Sequence, residues 1–262
     1  MKKNYYHISA TGNDFLIVDD RDNGILSNQI VLKTIFEILK INNIDGFISL
    51  NTCKGPENFE MHYFNNDGNE VELCGNGLRA ISYFADSILN ISLNNDDFYN
   101  IKTMNGTYQS WPQKEKIKVK MTEIEEVGLI DITDLMPESL NSLYVKVGVP
   151  HCVFVVDELK DDYIDILAPK IRSDSRFKNG VNINFIKFID ENTFQIRTFE
   201  RGVEGETLSC GTGSCASTML ATKLKKEHIW NIKTKCGKLR IGFFEKYFEL
   251  EGPVKFEKIF KL

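Results

Sequence analysis

The 262-residue sequence has no Cys-x-x-Cys pair, and its four histidines, at positions 7, 62, 151 and 228, lie scattered without ligand spacing. That scatter argues against a zinc site and against thioredoxin-like redox chemistry. Six cysteines are too sparse for a disulfide scaffold in a chain of this size, so each is expected to be a thiol or thiolate in a reducing cytosol. No apolar run approaches the roughly 20 residues of a membrane helix. The longest, residues 147–156, contains His151. The amino-terminal Met1-Lys2-Lys3-Asn4 is basic enough to start a signal peptide, but His7, Ser9, Asn13 and Asp14 interrupt the apolar stretch that should follow. A cytoplasmic protein with no membrane partner is the expectation. No dense Lys/Arg block exists, and acidic residues outnumber basic ones 37 to 32 for a formal charge of -5, so a nucleic-acid partner is not expected.

What is present is an ordinary globular composition, with 42% hydrophobic and 26% charged residues, enough to build a real core. Short β-rich segments dominate. They cover residues 5–9, 15–18, 47–50, 59–64, 117–121, 143–147, 152–156, 181–189, 193–199 and the 239–250 region, each with β-branched and aromatic residues bounded by Asn, Asp or Gly. Asn105-Gly106 marks a hairpin. Four stretches instead show helical spacing: Ile30, Val31, Ile35, Ile38 and Leu39; Leu78, Ile81, Phe84, Ala85, Ile88 and Leu89; Ile164, Leu167, Ala168 and Ile171; and Ala216, Met219, Leu220 and Leu224. Pro169 must kink or restart the third. Many strands with few helices predict an α+β fold.

The sequence also echoes itself. Cys74-Gly75-Asn76-Gly77 and Cys210-Gly211-Thr212-Gly213 each follow a strand and a polar turn, and each opens a helix. They stand about half the chain apart, which predicts a duplicated domain with its boundary near residues 116–120. Glycines around a strand-to-helix turn allow positive φ and close approach, and they leave the first helical amides pointing outward to hold an anion. The same amides favour a thiolate, the form in which cysteine acts as base or nucleophile. One such turn is equally well a glycine turn over a buried, inert cysteine. Two in matched positions predict one carboxylate held by both helix starts, with a thiol on each face of the neighbouring carbon. Deprotonation on one face and reprotonation on the other inverts a stereocentre. Cys53, Cys152, Cys215 and Cys236 lack the glycine turn and are expected to be small core residues.

At these residues the sequence resembles the PLP-independent diaminopimelate epimerase family. The segments that carry the resemblance are Gly12-Asn13-Asp14-Phe15, Phe64-Asn65-Asn66-Asp67-Gly68 leading to Cys74-Gly75-Asn76-Gly77-Leu78-Arg79, Gly148-Val149-Pro150-His151, Val181-Asn182, and Glu200-Arg201-Gly202 leading to Cys210-Gly211-Thr212-Gly213. The resemblance implies two pseudosymmetric domains, each a β-barrel around a central helix, over residues 1–117 joined by a C-terminal strand at 250–262, and over 118–249. It implies no cofactor and no metal, a small-molecule amino-acid substrate and a homodimer. Cys74 and Cys210 would be the acid/base pair, with His151 close to the reacting centre. Gly75, Asn76, Gly211 and Thr212 would hold the reacting α-carboxylate. Asn13, Asn65, Asn182, Glu200 and Arg201 would hold the rest, Arg201 facing the distal carboxylate and Glu200 the distal ammonium.

Each of these residues also has a plainer reading. Asn13 and Asn65 suit turns, Asn182 a satisfied core amide, Glu200 and Arg201 a solvated ion pair, and His151 a packed core histidine. The sequence departs from the family pattern at Ala10, in place of a Gly, at Val149, where many members have Asn, at Ile44-Asp45-Gly46-Phe47, which has no Gln, and at Glu204, which lengthens a turn by one residue. The implied activity is interconversion of L,L- and meso-diaminopimelate, for lysine and peptidoglycan precursor synthesis. The alternatives are a PLP-independent racemase for another amino acid and, outside enzymes, a thiol-based redox or ligand-binding module.

Overall fold

A computed structural model of the chain describes residues 3–71, 74–93, 97–121, 126–127 and 130–261. Met1 and Lys2 of the basic amino-terminal stretch, and Leu262 at the end of the expected returning strand, lie outside the described residues. The chain divides into two compact units, the first made of residues 1–120 and 251–262 and the second of residues 121–250.

The first unit opens with strands β1 (Asn4–Ala10) and β2 (Asn13–Asp19), helix α1 (Gln29–Asn42), then β3 (Gly46–Asn51) and β4 (Phe59–Asn65). Helix α2 (Gly75–Tyr83) follows and runs into a π-helical turn over Phe84–Ile88, and then come β5 (Tyr99–Thr103), β6 (Gly106–Gln113) and β7 (Lys116–Met121). These strands pair in chain order. The carboxy-terminal part of the last strand of the chain, residues 251–261, joins β7 to β1 and closes the ring into a barrel. Pairing is antiparallel except for β2 with β3 and β4 with β5, where a helical crossover intervenes.

Helix α2 touches β1, β2, β3 and β6 and is buried from Gly75 to Ser82, as a helix threaded through a barrel must be. Helix α1 lies on the opposite face of the sheet. Its Ile35 and Leu39 pack with Leu16, Val18 and Phe47, whereas Ile30 is 80% exposed, so the apolar face is narrower than the helical spacing implied.

The second unit repeats the plan with β8 (Glu126–Val127), β9 (Asn141–Val147), β10 (Val149–Val155), helix α3 (Ala168–Arg172), β11 (Asn182–Phe188), β12 (Thr193–Glu200), β13 (Gly205–Thr207), helix α4 (Gly211–Lys225), β14 (Ile229–Thr234), β15 (Gly237–Phe244) and the first residues of β16 (Tyr247–Lys261), whose remainder belongs to the first unit. Again the two crossovers, β10 to β11 and β12 to β14, are the parallel pairs. Helix α4 touches β9, β10, β11 and β15. Its residues 213–218 are Gly, Ser, Cys, Ala and Thr, small enough to sit buried among strands. Pro169 does restart a helix, at the first turn of α3 after a π-helical turn over Tyr163–Leu167. The hairpin at 105–106 is displaced by one residue: Thr103 pairs with Gly106, so Met104 and Asn105 make the turn and Gly106, at φ +122°, opens the next strand.

Candidate active site

In the first unit, β4 delivers the chain to a polar turn and Cys74 caps α2. Its backbone is extended, and its Sγ accepts the Gly77 N–H at 3.3 Å, the position a Ser or Asp oxygen usually fills. A Cβ on Gly77 would come within 3.0 Å of the Met61 Cε and 3.3 Å of the Ile48 Cδ1, so only glycine seats this turn against β3 and β4 without displacement. With Gly77 N–H held by sulfur, the amides of Gly75 and Asn76 remain as first-turn donors without intrahelical acceptors.

Behind that turn lies Arg79, fully buried. Its Nη2 donates to the Asn76 Oδ1 at 2.7 Å and the Thr11 Oγ1 at 2.8 Å, and its Nη1 to the Gly75 carbonyl at 3.4 Å. Asn76 in turn donates to the Asn13 Oδ1, and Asn13 to the Asp45 Oδ2 at 3.4 Å. Thr11 sits at φ +49°, uncommon for a β-branched residue, in the tight turn between β1 and β2 that presents Asn13. The guanidinium thus ties the helix start to the turn beside it. Asn65 stands at the end of β4, its Oδ1 accepting the Tyr63 hydroxyl at 2.8 Å and its backbone paired with Gly46.

In the second unit Cys210 caps α4 in the same way, its Sγ accepting the Gly213 N–H at 3.4 Å and lying 3.5 Å from the Thr212 hydroxyl. A Cβ on Gly211 would meet no heavy atom within 4 Å, leaving that side of the first turn open to a ligand. Glu200 ends β12, and its carboxyl is held above the usual range by burial, against the pull of the Thr207 and Cys210 side chains. Asn182 opens β11 beside His151 on β10, the two being paired across the parallel strands. The Asn182 Oδ1 accepts the Arg201 backbone N–H at 2.8 Å, and the Arg201 Nη1 donates to the Asn179 carbonyl at 3.0 Å. His151 is fully buried and its pKa is pushed down to about 3, first by burial and then by the Arg201 charge.

A lowered cysteine pKa, expected at both helix starts, is not what the second unit provides. Burial raises the Cys210 thiol well above its ordinary value and the Glu200 carboxylate raises it further, outweighing the Thr212 and Gly213 hydrogen bonds. A buried thiol beside a carboxylate keeps its proton. Of the other cysteines, Cys152 and Cys215 are buried as expected, whereas Cys53 and Cys236 are only half-buried. The extra residue Glu204 takes φ +55°, caps the turn through the Gly202 N–H and pairs with Arg172 at 2.9 Å.

Thus Asn13 and Asn76 are joined to the Cys74 turn, and His151, Asn182 and Arg201 form one cluster with Glu200 beside Cys210. The residues that organise these groups, Thr11, Asp45 and Arg79 in one unit and Asn184 in the other, carry no role in the sequence reading.

The match with known proteins is decided by the whole chain. The family model for diaminopimelate epimerase covers residues 5–127 and 143–255. The chain belongs to the diaminopimelate epimerase family. As a family member it is an isomerase, and it is 34% identical over 261 residues to the diaminopimelate epimerase of Flavobacterium psychrophilum, covering 96% of both chains. It is also 35% identical over 260 residues to that of Campylobacter jejuni, again covering 96% of each. Among solved structures, the fold of this diaminopimelate epimerase family member is shared with a phenazine biosynthesis protein of Bacillus anthracis at TM-score 0.75 and 16% identity, covering 100% and 99% of the two chains. A hydroxyproline epimerase of Agrobacterium vitis aligns at TM-score 0.62 and 11% identity over 100% and 91%.

Proposed function

We propose that the protein interconverts L,L- and meso-diaminopimelate without cofactor, Cys74 and Cys210 serving as acid and base on opposite faces of one α-carbon. The observation that carries this reading is the matched pair of capping cysteines, each with its sulfur on the third N–H of a helix and two further first-turn amides that have no intrahelical acceptor beside it. The α-proton of an amino acid is a poor acid, so negative charge developing on the carboxylate needs preorganised donors. Gly75 and Asn76 supply them from one unit, and Gly211 and Thr212 from the other. Cys210, buried and beside Glu200, is the thiol that donates a proton. Cys74 is the thiolate that accepts one. In the reverse direction the roles exchange, as microscopic reversibility requires.

Asn13, Asn65, Asn182, Glu200 and Arg201 hold the remote end of the substrate, and His151 lies at the reacting centre. Lysine and peptidoglycan precursor synthesis in the cytoplasm, by a homodimer, completes the proposal. Exchange of the substrate α-hydrogen with deuterated solvent tests it: wild-type protein should exchange and epimerise diaminopimelate with no added PLP or metal. Exchange of proline or alanine at a comparable rate, with diaminopimelate inert, would replace this substrate by a single-centre amino acid, the racemase reading that Val149 leaves open.

A further inference from the structure

The second unit contains a buried asparagine that the proposed reaction does not use. Asn184 on β11 is fully buried, and each polar atom of its amide is engaged. The Nδ2 donates to the Cys152 carbonyl at 3.0 Å, and the Oδ1 accepts the Thr198 hydroxyl at 3.0 Å. A carbonyl oxygen accepts only, so the Cys152 contact fixes which end of the amide is nitrogen. The second hydrogen on that nitrogen points to the His151 Nδ1 at 3.2 Å. A donor facing Nδ1 requires a lone pair there, and a neutral imidazole then carries its proton on Nε2. Burial and the charge of Arg201 keep the ring neutral. The His151 Nε2 is itself buried and has no hydrogen-bond partner among the described residues.

Asn184 also touches the start of α4. A Cβ on Gly213 would fall 2.3 Å from the Asn184 Oδ1 and 3.3 Å from the Cys210 Sγ. The amide therefore sits between the His151 ring and the turn that Cys210 caps, and its orientation is locked from three sides. An orphaned N–H inside a protein is costly, and its cost is recovered when an acceptor arrives.

We propose that Asn184 is a positioning residue that holds His151 as its Nε2–H tautomer, so that His151 offers the substrate a fixed hydrogen-bond donor for an anionic oxygen and cannot act as a base. The consequence for turnover rests on the function proposed above; the tautomer does not. In the tautomer so held, the only lone pair of the ring is committed to Asn184. Proton removal in this half-site is then left to sulfur alone.

The ring nitrogens of ¹⁵N-labelled protein report the tautomer directly, with His151 assigned by the signals lost in His151→Gln. Wild-type protein should show a neutral ring with the proton on Nε2 at neutral pH. Asn184→Asp, of the same size, presents an acceptor to Nδ1 and should move the proton there. Asn184→Ile should leave both tautomers populated and reduce kcat/KM for diaminopimelate by ~10-fold or more, the scale of one buried hydrogen bond to a charged group. A proton on Nδ1 in the wild type, or an Nε2–H ring unchanged in Asn184→Asp, would overturn the proposal, and the wild-type spectrum decides even if neither variant folds. If the spectra are as expected but the wild type does not exchange diaminopimelate, the proposed function fails and the tautomer assignment stands.

Discussion

The two halves of the chain share a plan but differ in what backs each cysteine. Strand registers align them residue by residue. Phe15 pairs with Gly46 where β2 meets β3, and His151 pairs with Asn182 where β10 meets β11. Asn65 faces Gly46 as Glu200 follows Phe199, the partner of Ile183. So Phe15 corresponds to His151, Ile48 to Asn184, Asn65 to Glu200, and five residues past each cysteine Arg79 corresponds to Cys215. The glycines of the caps agree, since a Cβ on Gly77 would strike Ile48 and one on Gly213 would strike Asn184. One half has an apolar pair under its cap and a buried cation in its first turns. The other has a polar pair, no such cation, and a carboxylate beside the sulfur. Duplication repeats the cap, and divergence beneath it leaves Cys210, buried beside Glu200, holding its proton.

The most damaging test of this comparison removes one sulfur at a time. Cys74→Ala and Cys210→Ala should each lower epimerisation by ~10²- to ~10⁴-fold, the range of a positioned acid or base, with circular dichroism unchanged. Near-normal turnover by either variant would show that the halves are not partners in one reaction.

A second test uses the histidine that replaces Phe15. Unfolded, His151 titrates near 6.5; folded, at about 3. Between these values the unfolded chain binds a proton that the native chain does not, so stability rises with pH across this window and is lost as pH falls. The loss should amount to about 1.4 kcal/mol per pH unit and on the order of 5 kcal/mol in all. His151→Gln should flatten that part of a urea-midpoint profile. An unchanged slope would show that this ring is not buried neutral.

Much of this was legible in the sequence, and the remainder has a common physical cause. Most strands, the four helical stretches and the doubled Cys-Gly-x-Gly turn follow from local periodicity and glycine chemistry, whereas β8, β13 and β14 are not among the expected strands. The contacts that tune the caps are long-range: Arg79 reaches Thr11 across 68 residues, and Asn184 reaches His151 across 33. Nothing in the neighbourhood of either residue announces such a partner. Which sulfur keeps its proton is hidden from the sequence for a related reason, because helix position is local but burial against Glu200 is tertiary.

Arg79 and Cys215 allow the asymmetry to be weighed. Arg79→Met takes a buried donor away from the Asn76 Oδ1 and the Thr11 hydroxyl and should cost about 3 kcal/mol of stability, with KM raised because the Asn76–Asn13 pair loses its anchor. Cys215→Ala, at the corresponding place, removes a buried sulfur and no charge and should cost about 1 kcal/mol. Chemical denaturation of the two variants measures the difference. Equal costs would show that the cation is not the organising group of the first half.

Val149 offers the finest probe, for it stands two residues before His151 as Asn13 stands two before Phe15. Asn13 donates to Asp45 and accepts from Asn76, while Val149 has no polar side chain at all. Both positions follow a glycine of positive φ, Gly12 at +81° and Gly148 at +68°, so each side chain leaves a tight turn at the start of its strand. If the halves hold one substrate between matched sets of groups, Val149→Asn supplies the missing member of the pair. One neutral hydrogen bond is worth about 1 kcal/mol, so KM for diaminopimelate should fall roughly fivefold. Because the added contact is made equally to substrate and transition state, kcat should hardly change. A rise in KM would instead mean that valine shapes the pocket for a less polar substrate, and the same variant assayed with single-centre amino acids would show which one had been lost.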